Sequence, residues 1–138
     1  MSTTTAGMPR PGQVPHPFAE LIGLVHRSAQ PGHSTMELTP RPEHLNPNHV
    51  VHGAVLYAMA DVGMGAALST TLAAGELCAT IQITMNYFKP VTTGLVVCTT
   101  EMVNRGRRVA NFRSLLEVDG VRVASADGNY AIFKPGVA

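Results

Sequence analysis

The chain has 138 residues, 14% charged and 45% hydrophobic, with ten Lys+Arg against nine Asp+Glu and a formal net charge of +1. That length closes one core and excludes a second full domain, and the near-neutral balance excludes the basic field that a nucleic-acid binder needs. Cys78 and Cys98 lack C-x-x-C spacing and read as free thiols of a reducing compartment, and the opening MSTTTAGMPRPGQVPHP has no apolar core of a signal peptide, so a cytoplasmic protein is expected.

Residues 1–16, rich in Thr, Pro and Gly without periodicity, read as a mobile tail before a single domain over 17–138. From Pro17, PFAELIGLVHRSAQPG sets Phe18, Leu21, Ile22 and Val25 at helical spacing between a proline start and a Pro31-Gly32 stop, predicting a short amphipathic helix. STMELT alternates as a strand, and RPEHLNPNH is a polar loop leading into a long helix that begins at about His52-Gly53. CATIQITMNYFKP is the cleanest strand, with Ile81, Ile83, Met85 and Tyr87 alternating against Thr80, Gln82, Thr84 and Asn86. LVVCTTEMV, VANFRSLLEV and VRVASADGNYAIF follow, joined by NRGRR and by the Asp119-Gly120 turn dipeptide, and read as an antiparallel meander. The sum is an α+β domain: one long helix wrapped by a curved antiparallel sheet of about five to six strands, one of them before the helix.

The long helix carries the chemistry. Between Glu43 and Glu76 the only acidic or basic side chain is Asp61, set in a run of Ala, Val, Leu, Met and Gly. A helix apolar on every side is a buried one, and a lone carboxylate there costs several kcal/mol unless it is paired, bonded or protonated, which marks Asp61 as a functional candidate. Val50 to Leu72 is long enough to raise a membrane span. A charge at its midpoint, the absence of flanking Lys or Arg clusters and a sheet in need of a covering helix argue for the soluble reading instead.

The free N–H groups at the helix start suit an anion or a polarised carbonyl oxygen. Gly53 either relaxes the turn there or lets a substrate approach the backbone. Gly53 and Asp61 stand eight residues apart, ~12 Å along one helix, too far to touch one reacting carbon. If both are catalytic, the site must combine the helix start of one subunit with Asp61 of another, as a two-fold homodimer allows.

His44, His49 and His52 crowd one loop, but H-x4-H-x2-H matches no standard zinc pattern and only Glu43 lies near, so no metal is expected. Arg105, Arg107 and Arg108 gather on one turn, which reads equally as a phosphate-binding cluster or a solvated hairpin. Thr80 leads the polar face of its strand, where it either orients a water or serves as a good strand former.

With H-L-N-P-N-H-V-V-H-G-A followed by Asp61, the chain resembles the hotdog-fold acyl-CoA thioesterases, specifically the PaaI-like (phenylacetic acid degradation) branch. The likeness runs from about Pro17 to Pro135 and includes the N-x5-HG-x7-D pattern, the strand end Tyr87-Phe88-Lys89-Pro90 and the arginine turn. It implies hydrolysis of acyl- or aryl-CoA thioesters without metal or other cofactor, by a dimer that usually pairs again to a tetramer. Asp61 would be nucleophile or general base, and Gly53 would supply the N–H that polarises the thioester carbonyl. Asn46 would help place substrate or water, His52 would stand beside the oxyanion site and the Thr80 hydroxyl would hold the water. Arg105, Arg107 and Arg108 would meet the CoA phosphates. A hotdog enoyl-thioester hydratase or dehydratase and a non-catalytic acyl-CoA-binding module are the alternatives. The chain departs from the pattern twice: Ala54 stands where a second glycine is usual, and His49 replaces a glycine. If that position needs positive φ, His49 is strained there.

Overall fold

The computed structural model describes residues 15–136, so residues 1–14 of the expected tail lie outside it. His16 is not tail: its Nδ1 accepts the Ala19 N–H at 3.1 Å and caps the first helix. That helix, α1, is only Pro17–Ile22, shorter than the helical spacing predicts. Gly23 ends it in the left-handed region at φ 72, sending its N–H back to the carbonyls of Ala19 and Glu20. Val25, expected on the helix, therefore lies in a strand, β1 (Leu24–Gln30), which turns at Pro31-Gly32 into β2 (His33–Leu38). Two strands precede the long helix rather than one.

A single 3-10 turn, Pro42–His44, and a loop lead to α2, Gly53–Ser69. Strands β3 (Leu77–Tyr87), β4 (Val96–Arg105), β5 (Val109–Val118) and β6 (Val121–Phe133) complete one antiparallel sheet in the order β1-β2-β4-β5-β6-β3. The last three strands form the expected meander. β3 crosses to the far edge and pairs with β6 alone.

The sheet curls around α2 and buries Leu56, Met59, Met64, Ala67 and Leu68 against it. One half of the core gathers Met36, Leu38, Val96 and Leu116 beneath the first turns of α2, and the other gathers Phe112, Tyr130 and Ile132 beneath its last turns. Full burial of such side chains is worth ~1.5–3 kcal/mol each. Buried hydroxyls also line this interface. Ser34 Oγ donates to the Gly63 carbonyl of α2 at 2.6 Å, and Thr100 Oγ1 and Ser114 Oγ lie 2.6 Å apart. A Cβ on Gly63 would stand 2.9 Å from Thr100 Oγ1, so the helix sits this low only because residue 63 has none.

The expectation of a helix buried all round is corrected. Ala54 and Tyr57 are exposed and Asp61 is partly so, because the sheet covers only one side of α2 within a chain. The helix is 17 residues long, and no helix among the described residues is long and apolar enough to cross a membrane.

Candidate active site

The loop entering α2 is built from its own polar groups. Asn46 donates its N–H to the Val50 carbonyl at 2.8 Å and accepts the His49 N–H on its own carbonyl at 2.9 Å. The Asn46 side-chain Oδ1 accepts from the Asn48 N–H at 2.9 Å and the Val50 N–H at 3.4 Å, the local turn that asparagine favours. Only its Nδ2 donors are left to face a substrate. His49 closes this turn at φ 61, so the position does take a positive φ and the histidine stands in the region that favours glycine.

The three histidines do not converge. His44 is buried, with Nδ1 accepting the Arg41 N–H at 2.9 Å and Nε2 donating to the Ile22 carbonyl at 2.6 Å, so it ties the loop to α1. His52 caps α2, its Nδ1 accepting the Ala54 N–H at 2.9 Å, which leaves Nε2 to face solvent. Among the described residues no group of three His, Cys, Asp or Glu side chains gathers to hold a metal ion.

At Gly53 the structure amends the reading of close substrate approach. A Cβ there would lie 3.0 Å from Tyr87 Cζ, and the Tyr87 hydroxyl donates to the Gly53 carbonyl at 2.8 Å. The glycine thus makes room for the ring of Tyr87, whose hydroxyl burial and the nearby Tyr57 keep protonated by raising its pKa. The Gly53 N–H itself takes no acceptor among the described residues. Beside it opens a cavity of about 320 Å³ lined by Val51, Gly53, Leu56, Tyr87, Phe88 and Lys89.

Asp61 lies two turns further along. Thr80 Oγ1 donates to its Oδ1 at 2.7 Å, and the Tyr130 hydroxyl, 2.5 Å from the Asp61 carbonyl oxygen, also donates to Oδ1. The alternating pattern had put Thr80 on the face opposite Ile83, Met85 and Tyr87. A bulge between Thr80 and Gln82 reverses this: Thr80 pairs with Tyr130 and Ile83 with Gly128, so Thr80 shares the helix-facing side with those apolar residues, while Ile81 is 53% exposed. Tyr130 went unnoticed in the sequence, where it reads as one more aromatic in an alternating strand. Only its register opposite Thr80 gives it away. Cys78, half-buried on β3, has its thiol pKa raised by burial and then by the Asp61 charge.

The arginine turn divides. Arg105 is committed to the end of α2, with Nε 3.3 Å from Thr71 Oγ1, Nη2 donating to the Thr71 carbonyl at 3.3 Å and a salt bridge to Glu76 at 3.2 Å. Arg107 and Arg108 are exposed.

A six-stranded antiparallel sheet around one long helix, with a glycine at the helix start and a carboxylate at its middle, is the hotdog architecture. The profile of the thioesterase superfamily matches residues 48–125. A conserved Pseudomonas aeruginosa protein shares the fold at TM-score 0.83 and 27% identity, covering 86% of this chain and 94% of that one. A variant of the phenylacetic acid degradation protein PaaI of Thermus thermophilus superposes at TM-score 0.79 with 29% identity, over 84% of this chain and 98% of that one. An Archaeoglobus fulgidus protein provisionally named an esterase is 30% identical over 100 residues, 72% of this chain; the match spans 62% of that protein's length. The chain belongs to the thioesterase superfamily, a family of thioester hydrolases. The likeness to a PaaI protein agrees with the branch that the N-x5-HG-x7-D motif resembles.

Proposed function

We propose that the protein is a cytoplasmic acyl-CoA thioesterase, and the observation that carries this reading is the Asp61 carboxylate, fixed through one oxygen at mid-helix. Asp61 attacks the thioester carbon or takes a proton from the attacking water, while the Gly53 N–H at the positive end of α2 stabilises the charge that grows on the carbonyl oxygen. The C–S bond breaks and one water is consumed, its oxygen going to the acid and a proton to the CoA thiolate; where Asp61 is the nucleophile, that water hydrolyses the acyl–Asp61 anhydride. Asn46 and His52, in the loop and cap that lead into the same helix start, keep Nδ2 and Nε2 free to orient substrate or water. Thr80 holds Asp61 and, through its remaining lone pairs, a water. The apolar cavity beside Gly53 suits an acyl or aryl group, and Arg107 and Arg108 meet the CoA phosphates with Arg105 as their support.

The site is shared in a homodimer, which the family resemblance extends to a tetramer. Two features support this. The 11-residue edge strand β3 has a free side, and an edge of that length needs cover. Along α2 Tyr57 is exposed and Asp61 is only partly buried, so this side of the helix stays open to a partner although Thr80 and Tyr130 reach the Asp61 carboxylate from the sheet. A two-fold axis beside β3 joins both and brings Asp61 of one chain toward the Gly53 end of the other. Within one chain Asp61 is held by Thr80 and Tyr130 rather than by a histidine, which favours hydrolysis over hydration.

The test is thiol release from a panel of acyl- and aryl-CoA esters in the presence of a strong chelator. Turnover of at least one substrate is expected. Silence across the panel refutes the reading, and a change in enoyl absorbance without free thiol would establish the hydratase instead.

A further inference from the structure

Tyr130 is a core residue with a polar end. It is 4% exposed, its ring meets Phe112 edge to face at 5.6 Å between centroids, and a Cβ on Gly65 would touch it at 3.8 Å. Packing on both sides thus fixes where the hydroxyl stands, and the hydroxyl stands at Asp61. Both donors that reach the carboxylate, Thr80 and Tyr130, end on the same oxygen, Oδ1. Oδ2 takes no donor among the described residues.

We infer that Tyr130 is a positioning residue of the active site: with Thr80 it locks Oδ1 of Asp61, sets the plane of the carboxylate and makes Oδ2 the oxygen that reacts. The inference rests on the reading of Asp61 as catalytic and goes beyond it by naming the reacting atom and the group that selects it. The tyrosine can donate throughout the working range, since burial first, and then its bond to Asp61, hold its hydroxyl protonated far above the ordinary tyrosine pKa. The Cys78 thiol on β3 stands near enough to feel the Asp61 charge, and α2 carries no other charged residue.

Tyr130→Phe removes the hydroxyl and keeps the ring against Phe112. The expected result is a kcat lowered about tenfold, the scale of one hydrogen bond to a charged group, with KM within twofold. The carboxyl-carbon NMR signal of Asp61 at a fixed neutral pH gives a readout that needs no substrate, and it should move when the hydroxyl bond to Oδ1 is lost. An unmoved Asp61 carboxyl signal together with an unchanged kcat overturns the inference. Asp61→Asn separates the two layers of argument. If it hydrolyses at the wild-type rate, the reading of the function falls and the positioning role with it. If it is inactive while Tyr130→Phe matches wild type on every readout, only the role of Tyr130 falls.

Discussion

Asp61→Asn keeps the shape of the side chain and loses its charge, so turnover should fall at least ~10²-fold while the far-UV spectrum and substrate affinity hold. Near-normal hydrolysis by the folded variant would remove Asp61 from the chemistry. What is local in the candidate site was legible in the sequence: Gly53 at the helix start and Asp61 eight residues on are related by helix geometry alone, whereas Asn46 and His52 entered through the family resemblance, and His49 stands at φ 61, the strained case raised for it. Tyr130, 69 positions from Asp61, could not be reached this way, because strand register joins them and no short pattern encodes it. Arg105 shows the same limit: its charge was visible and its partner Glu76 was not.

Along α2 the most sensitive position is the least conspicuous. Gly63→Ala should lower stability by about 1–3 kcal/mol, since the new methyl meets a hydroxyl pair sealed beneath the helix and neither side can yield freely. A denaturant midpoint indistinguishable from wild type would show that the helix lifts at no cost. On the β4–β5 turn, replacing Arg107 and Arg108 by Ala should raise KM for acyl-CoA far more than for an acyl-pantetheine lacking the nucleotide, with the difference shrinking as salt is added. Equal effects on both substrates would return the pair to a solvated turn. Arg105→Ala belongs to a different class and should destabilise the fold. The Glu76 carboxyl, held below its ordinary pKa first by the Ala73 N–H and further by Arg105, adds stability above its unfolded-state pKa that is lost as pH falls through the folded-state one. The variant should lose part of that contribution, read as a smaller drop in melting temperature on acidification. In β3 the period-two pattern identified the strand and misassigned Thr80, because one extra residue shifts the phase of everything before it.

At the scale of the whole molecule, the proposed roles of Gly53 and Asp61, set ~12 Å apart along one helix, call for two chains to complete one site. Mixing an Asp61→Asn chain with a Gly53→Val chain, each inactive alone, should restore up to half the wild-type activity of the hybrid dimer, since one of its two sites then carries neither lesion. No recovery, with the hybrid confirmed by mass, would refute the shared site. The sheet and its single long helix were legible because runs of alternation and of unbroken apolarity are local. The placement of β3 beside β6 was not, because it depends on which edge is open when the chain folds back. That order bears on synthesis. β6 leaves the ribosome after the other five strands, and until it does β3 lacks the strand it pairs with and Asp61 lacks Tyr130. A nascent chain halted short of residue 121 would own its helix, its glycine and its carboxylate, yet the site would still be unbuilt. Hydrolytic competence, on this reading, is withheld until β6 has emerged.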